Sequence, residues 1–91
     1  MKYKLSTTAQ FDKDYKLIKK RGYNLKLLRK VLETLVSGQE LEQKYKDHSL
    51  KGNYIGFREC HIQSDWLLIY AIDDDKLILT ASRTGSHSDL F

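Results

Sequence analysis

Residues 66–83 have the sequence WLLIYAIDDDKLILTASR, in which two apolar runs flank three consecutive aspartates. Runs of this kind, bounded by turn-forming residues, predict two β-strands at residues 66–72 and 76–83. A third strand is predicted at residues 54–62, ahead of a turn at Gln63 and Ser64. Turns this short force neighbouring strands to run antiparallel. The C-terminal half therefore predicts three antiparallel strands.

The N-terminal half has helical periodicity after one short strand. Residues 2–5 alternate polar with apolar side chains and predict that strand. Thr7, with Gln10 three residues later, forms a capping-box pattern before an amphipathic helix that ends at Gly22, and Asn24 can cap a second one. The order β-α-α-β-β-β predicts an α+β fold, a helical hairpin packed on a small antiparallel sheet.

Length and composition indicate a folded globular protein. The 91 residues match one small domain, and 41% hydrophobic and 31% charged residues without proline exclude disordered, collagen-like and disulfide-rich classes. No apolar run approaches the ~20 residues of a membrane span, and the first residues resemble no secretion signal. The single cysteine, Cys60, excludes an internal disulfide. We expect a cytoplasmic protein that has no membrane partner.

Positive charge is concentrated in the first half of the chain. Residues 1–52 contain 13 basic and 6 acidic residues, net +7, whereas residues 53–91 contain 3 and 6, net −3. This asymmetry favours a polyanionic partner such as nucleic acid, although a solvated helical face is the commoner explanation of charge alone. A basic face on the two predicted helices would consist of Lys16, Lys19, Lys20, Arg29 and Lys30.

The predicted strand register places three functional side chains in one row. If residues 63–64 form a two-residue loop, His61 pairs with Trp66. If residues 74–75 form another, Trp66 pairs with Arg83. An imidazole, an indole and a guanidinium would then lie side by side on one face of the sheet.

The three histidines, His48, His61 and His87, indicate acid–base chemistry more than metal binding. None of them has the i, i+3 or i, i+4 spacing of a helical metal site, so no metal and no cofactor are predicted. Cys60 cannot act as a nucleophile paired with His61, because adjacent strand residues point to opposite faces. Strict alternation also places Asp65 on the face opposite to the predicted row.

These residue types match the needs of a metal-free ribonuclease. Imidazoles exchange protons near neutral pH, Arg83 can neutralise charge on a phosphate, and Trp66 or Phe91 can stack on a base. The neighbouring 2′-hydroxyl of RNA is itself the nucleophile, so a base, an acid and an anion stabiliser suffice. Ordinary surface histidines remain the alternative at this point.

Four blocks of the sequence together resemble a known family. They are residues 45–52 (YKDHSLKG), 56–61 (GFRECH), 65–70 (DWLLIY) and 83–91 (RTGSHSDLF). In this order they are similar to the YafQ branch of the RelE/ParE toxin superfamily, and the helical hairpin ahead of them also fits that fold. The ordered set is far more specific than any single block.

The resemblance implies a toxin of a type II toxin–antitoxin pair, an mRNA interferase that cuts messenger RNA in the ribosomal A site without a metal. It implies a RelB- or DinJ-like antitoxin as partner, ribosome and mRNA as targets, and operator DNA only through the antitoxin complex. The catalytic residues that it implies are His48, His61, Asp65, Arg83 and His87. The substrate-binding residues that we expect are Trp66, Phe91 and Lys51.

The roles that we assign by this resemblance follow the chemistry of RNA cleavage. His87 is the general acid to the 5′-oxygen, and His48 or His61, assisted by Asp65, is the base on the 2′-hydroxyl. Two other classes stay open: a ParE-like gyrase poison, which needs no histidine cluster, and a non-catalytic RNA-binding regulator that would use only the basic hairpin.

Overall fold

The computed structural model describes residues 2–91. They form one β-strand, then two helices, and then the other four strands of a five-stranded sheet. The predicted α+β class and the helical hairpin are confirmed. The elements in chain order are β1 (Lys4–Thr7), α1 (Ala9–Lys20), α2 (Leu25–Val36), β2 (His48–Ser49), β3 (Arg58–Gln63), β4 (Trp66–Asp73), β5 (Ile78–Gly85) and α3 (His87–Leu90). Strand β2 and helix α3 were not predicted. No helix within the described residues is long and apolar enough to cross a membrane.

The sheet is mixed rather than purely antiparallel. Its strand order is β1-β5-β4-β3-β2, and β1 pairs with β5 in parallel while all other neighbours are antiparallel. The prediction was wrong for β1 because short turns constrain only consecutive strands. The chain leaves β1 through the helical hairpin and is free to return in either direction. The first strand also lies two residues later than predicted, at Lys4–Thr7.

Side-chain caps fix where both helices begin. Thr8, not the predicted Thr7, caps α1, and its hydroxyl oxygen accepts from the Phe11 backbone N–H at 2.9 Å. Asn24 caps α2 as predicted, with its side-chain oxygen 3.1 Å from a backbone nitrogen of the first turn. The Thr8 hydroxyl also donates to the Ser82 carbonyl oxygen at 2.8 Å, which attaches the start of α1 to β5.

The main core lies between the helical hairpin and one face of the sheet. Its buried members come from both layers and from the residue ahead of β1: Tyr3, Phe11, Ile18, Leu28, Val31, Leu35, Val36, Cys60, Ile62, Trp66, Leu68, Tyr70, Leu79 and Ala81. A smaller cluster covers the other face, where Leu67, Ile69 and Leu90 pack with Leu50, Tyr54 and Phe57. Strand β4 is therefore buried on both faces. Cys60 is fully buried, as predicted, and this burial raises the pKa of its thiol to about 12.

The predicted pairing of His61 with Trp66 was wrong. The β3–β4 hairpin has a two-residue loop, but the loop lies one residue later than predicted, so Gln63 pairs with Trp66. A bulge between Gln63 and His61 then pairs His61 with Leu67. Because directly paired residues share a face and adjacent residues alternate, Trp66 points away from His61.

The β4–β5 register differs from the prediction for a similar reason. The connecting turn spans residues 74–77, and the Asp73 carboxylate accepts two backbone N–H bonds from within it. An irregularity next to Ile69 then pairs Ile69 with Arg83 instead of pairing Trp66 with Arg83. Arg83 and His61 therefore do share a face, as predicted, while Trp66 lies on the other.

Candidate active site

The sheet face opposite the helices carries two rows of aligned residues. His48 pairs with Glu59, Glu59 with Ile69, and Ile69 with Arg83, so these side chains form one row. A second row, two residues further along, contains His61, Leu67 and Gly85. Two histidines and the arginine thus lie on one face, although not in the row that the sequence predicted.

Glu59 lies between two imidazoles and was missed by the sequence analysis. Its carboxylate oxygen is 3.6 Å from Nε2 of His48 and 3.7 Å from Nε2 of His61. The Glu59 side chain is only 7% exposed, compared with 49% for His48 and 20% for His61. The spacing of two residues between Glu59 and His61 on a strand was the available signal, because it places both on one face. A buried carboxylate here can orient either ring.

The segment that carries His48 is held in place by hydrogen bonds to its neighbour Asp47. Asp47 accepts a hydrogen bond of 2.6 Å from the Tyr70 hydroxyl and one of 3.1 Å from Nη2 of Arg58. Burial, together with the bond to Asp47, raises the pKa of Tyr70. Nδ1 of His48 donates to the Lys46 carbonyl oxygen at 2.7 Å, because a carbonyl can only accept. This bond leaves the other ring nitrogen of His48, Nε2, next to Glu59.

Asp65 contacts His87 rather than the histidines of the sheet. Its Oδ1 accepts from the His87 backbone N–H at 3.0 Å and lies 3.4 Å from Nδ1 of the ring. Asp65 reaches this side because it occupies the turn, where strand alternation no longer applies. The His61 and His87 rings are 6.2 Å apart between centroids, so the third histidine joins the cluster from α3.

Aromatic rings extend the site beyond the histidines. The Phe91 ring lies 6.0 Å from His87 and 5.6 Å from Tyr54, centroid to centroid, and it is 60% exposed. Tyr54 in turn makes an edge contact with Phe57. An exposed ring beside the proposed acid can accept a stacked base. Phe91 thus lies at the surface beside His87, and Tyr54 is a further aromatic residue that the sequence analysis did not single out.

The structure does not support substrate contact by Trp66. Its side chain is 2% exposed and packs in the main core, with the Tyr23 ring 5.0 Å away in an edge contact. The indole N–H donates to the Thr84 hydroxyl at 2.9 Å. This hydrogen bond links Trp66 to β5 at the residue next to Arg83.

Arg83 is held by a carboxylate from the helical layer. Nε and Nη2 of Arg83 donate to the two oxygens of Asp14 at 2.8 and 3.2 Å. The hydrogen bond to Asp14 raises the pKa of Arg83 above its ordinary value. Within residues 2–91, no three His, Cys, Asp or Glu side chains are grouped so that they could hold a metal ion.

The model of the bacterial YafQ toxins of type II toxin–antitoxin systems matches residues 3–91 of this sequence. The chain belongs to the YafQ toxin family. The mRNA interferase toxin YafQ of Escherichia coli K12 is 38% identical over 85 residues, covering 92% of this chain and 90% of that protein. The predicted family is thereby confirmed.

Solved structures of related toxins have the same fold. A metal-bound toxin from Helicobacter pylori is 48% identical, with a TM-score of 0.92 over 98% of this chain and 99% of its own. The YafQ chain of the E. coli DinJ–YafQ complex is 36% identical, with a TM-score of 0.90 over 98% of both chains. The fold of this YafQ-family chain is thus shared over nearly its whole length.

The C-terminal end of α1 is attached to the site in this YafQ-family toxin. Arg21, which follows α1, donates to the Asp89 carboxylate at 2.7 Å, and Asp89 belongs to the short helix α3 that carries His87. The proposed basic residues on the helices are all exposed: Lys16, Lys19, Lys20, Arg29 and Lys30. Lys51 is also exposed and directly precedes the 3₁₀ turn Gly52–Tyr54.

The Arg21–Asp89 pair predicts a loss of stability in acid. The hydrogen bond from Arg21, supported by the Ser86 backbone N–H, lowers the pKa of Asp89 to about 2. A carboxylate with a depressed pKa stabilises the folded state fully above its unfolded pKa, and this contribution disappears as the pH falls from about 4 towards 2. The pair is partly exposed to solvent, so we expect Asp89→Asn to lower the free energy of unfolding by about 1 kcal/mol at pH 7.

Urea denaturation at pH 7, 5 and 3 measures this effect. Asp89→Asn is expected to lose less stability between pH 5 and 3 than the wild-type chain. Asp75→Asn, a change in an exposed turn carboxylate, is the matched control. Equal stability of Asp89→Asn and the wild-type chain at pH 7 would contradict the prediction.

Proposed function

We propose that this toxin is an mRNA interferase, an endoribonuclease that cuts messenger RNA on the ribosome. The observation that supports it best is one sheet face with two histidines beside a buried carboxylate, joined by His87 and its own carboxylate partner. The related E. coli toxin has the name mRNA interferase. A gyrase poison of the ParE type has no need of this arrangement.

The reaction follows from the proton donors and acceptors of the site. His48 or His61 takes the proton of the 2′-hydroxyl, whose oxygen attacks the phosphorus as the bond to the 5′-oxygen breaks. His87 gives a proton to that leaving oxygen, and Arg83 stabilises the charge on the phosphate. The products are a 2′,3′-cyclic phosphate and a 5′-hydroxyl.

The contacts of Asp65 and Glu59 favour roles for these two carboxylates that differ from the predicted ones. Asp65 was predicted to assist the base, but it lies next to Nδ1 of His87 and accepts the His87 backbone N–H. It therefore orients the acid and leaves Nε2 of His87 for the substrate. Glu59 takes the place that was predicted for Asp65, because it lies next to both candidate bases.

The ribosome supplies the message, and the antitoxin restrains the toxin. Exposed cations on the helices can contact ribosomal RNA through phosphate neutralisation without reading sequence. A DinJ-like antitoxin, like the partner in the E. coli complex, would cover this basic surface with acidic residues. Operator DNA would be bound only through that complex, and the toxin would act in the cytoplasm, where ribosomes are.

Primer extension on a translated message tests the proposed function. We expect cleavage at discrete positions, no cleavage of the same RNA without ribosomes, and ends that carry a cyclic phosphate and a 5′-hydroxyl. 1,10-Phenanthroline, which removes transition metals and spares ribosomal Mg²⁺, is expected to leave cleavage unchanged. Intact message together with gyrase-dependent DNA breaks would favour the ParE-like alternative.

Replacing the buried carboxylate tests the role of Glu59. We expect Glu59→Gln to lower the cleavage rate of ribosome-bound message about 10- to 100-fold, because an amide of the same shape cannot stabilise an imidazolium. Single-turnover primer extension measures this rate. Glu42→Gln, an exposed glutamate outside the cluster, is the control and should cut normally. Cleavage by a folded Glu59→Gln at the wild-type rate would exclude an active role for this carboxylate.

A further inference from the structure

Asp14 is a buried carboxylate far from the histidines in sequence but in contact with the site. Its side chain is 7% exposed and accepts four hydrogen bonds. Two come from Arg83, at 2.8 and 3.2 Å; the others come from the Thr84 backbone N–H at 3.2 Å and from Nε2 of Gln10 at 3.1 Å. Both carboxylate oxygens therefore have partners, and the charge is paired with Arg83.

This contact uses one edge of the Arg83 guanidinium and leaves another free. Nε and Nη2 form the edge that faces Asp14, and Nη2 also lies 3.5 Å from the Asp89 carbonyl oxygen. No acceptor in the described part of the chain meets Nη1. Since no buried side-chain nitrogen or oxygen within residues 2–91 lacks a partner, Nη1 is open to solvent. Arg83 thus presents one nitrogen with two N–H groups.

The backbone position of Arg83 belongs to the face that carries the histidines. Arg83 is in the row of Ile69 and Glu59, about 10 Å from Glu59 at the usual strand spacing. Its contact with the Asp89 carbonyl oxygen links it to α3, the helix of His87. We infer that Asp14 is a positioning residue, which holds Arg83 so that Nη1 points to the phosphate of the bound RNA. This inference rests on the proposed function.

The bidentate contact between Asp14 and Arg83 is not needed to attach α1 to the sheet. Thr8 already joins α1 to β5 through its hydroxyl, which donates to Ser82, and through its backbone N–H, which donates to the Ala81 carbonyl oxygen. The bidentate contact adds a fixed orientation of the guanidinium plane, which a long flexible side chain otherwise lacks. Such fixation lowers the cost of placing a charge at the transition state.

A double-mutant cycle separates positioning from stability. We expect Asp14→Asn to lower the single-turnover cleavage rate about 10-fold while ribosome affinity stays unchanged. In an Arg83→Gln background, Asp14→Asn should lower cleavage less than 2-fold further, because no guanidinium remains to be positioned. Asp12→Asn makes the same chemical change on the exposed side of α1 and is expected to cut at the wild-type rate. Thermal denaturation confirms that each variant is folded.

A binding measurement keeps this inference separate from the proposed function. A 2′-deoxy trinucleotide, which cannot be cut, is expected to shift the Arg83 Nε–H signal in the NMR spectrum of the wild-type chain and not in Asp14→Asn. Wild-type cleavage by a folded Asp14→Asn, equal losses in both backgrounds of the cycle, or no shift in the wild-type spectrum would overturn the inference. Failure of the proposed function would give a different result, namely equal cleavage by the wild-type chain and by His87→Ala.

Discussion

His87→Ala is expected to lower the cleavage rate of a translated message by about 10²- to 10⁴-fold, the usual contribution of a general acid. The ring is 58% exposed, and its Nδ1 lies 3.4 Å from Asp65, so Nε2 is free to protonate the leaving 5′-oxygen. His87 is the only imidazole on α3. Single-turnover primer extension measures the rate, and growth arrest in cells should disappear with it.

Ser88→Ala provides the control for this prediction. Ser88 is an exposed neighbour on α3, and its loss leaves the histidine cluster unchanged, so this variant should cut normally. His87→Ala should still fold, because the exposed ring contributes little to the core. If the variant stayed toxic and caused DNA damage signalling without loss of message, the gyrase-poisoning alternative would replace the ribonuclease.

Most of the fold could be predicted because its signals are local. Asn24 caps α2 where the sequence indicated, and the apolar runs of β4 and β5 formed neighbouring antiparallel strands. The direction of β1 could not be predicted, since the helices separate it from its partner β5 and no turn constrains the pair. Fold class therefore follows from periodicity, whereas the edge of the sheet depends on long-range packing.

The candidate site was predicted by residue type better than by position. Arithmetic on loop lengths gave His61 and Arg83 a common face, but it also placed Trp66 there, where the structure has Leu67 and Ile69. A bulge adds one residue to one strand and reverses the alternation beyond it, and nothing in the residues around His61 signals its place. Trp66 is thus buried in the main core because the register of β3 and β4 differs from the predicted one.

The carboxylates that orient the site were the hardest part to predict. Glu59 is close to His61 in sequence and was recoverable from strand alternation. Asp14 is 69 residues from Arg83 along the chain, and its position on an amphipathic helix gives no sign that it turns inward to the sheet. A side chain that positions a functional group does so through a tertiary contact. Such a contact leaves no local pattern in the sequence, so it is seen only in the structure.

Neutralising the basic face is expected to weaken ribosome binding strongly. The variant combines changes to Gln at Lys19, Lys20, Arg29 and Lys30, which are all exposed. Each contact with a phosphate adds about 0.9 to the slope of log affinity against log salt concentration. If all four contact RNA, the wild-type chain loses about 100-fold more affinity than the variant between 50 and 200 mM salt. Sedimentation with ribosomes at several salt concentrations measures both slopes.

A charge-matched pair of variants distinguishes a specific face from net charge. Lys19 and Lys20 lie at the end of α1 that Arg21 attaches to α3, whereas Lys4 and Lys76 lie near the opposite end of β5. Changing either pair to Gln removes two charges, so a nonspecific effect of net charge would weaken binding equally. We expect a loss only for the pair on α1, with cleavage by the bound fraction unchanged. Normal binding by that pair at raised salt would leave these lysines as a solvated surface or an antitoxin contact.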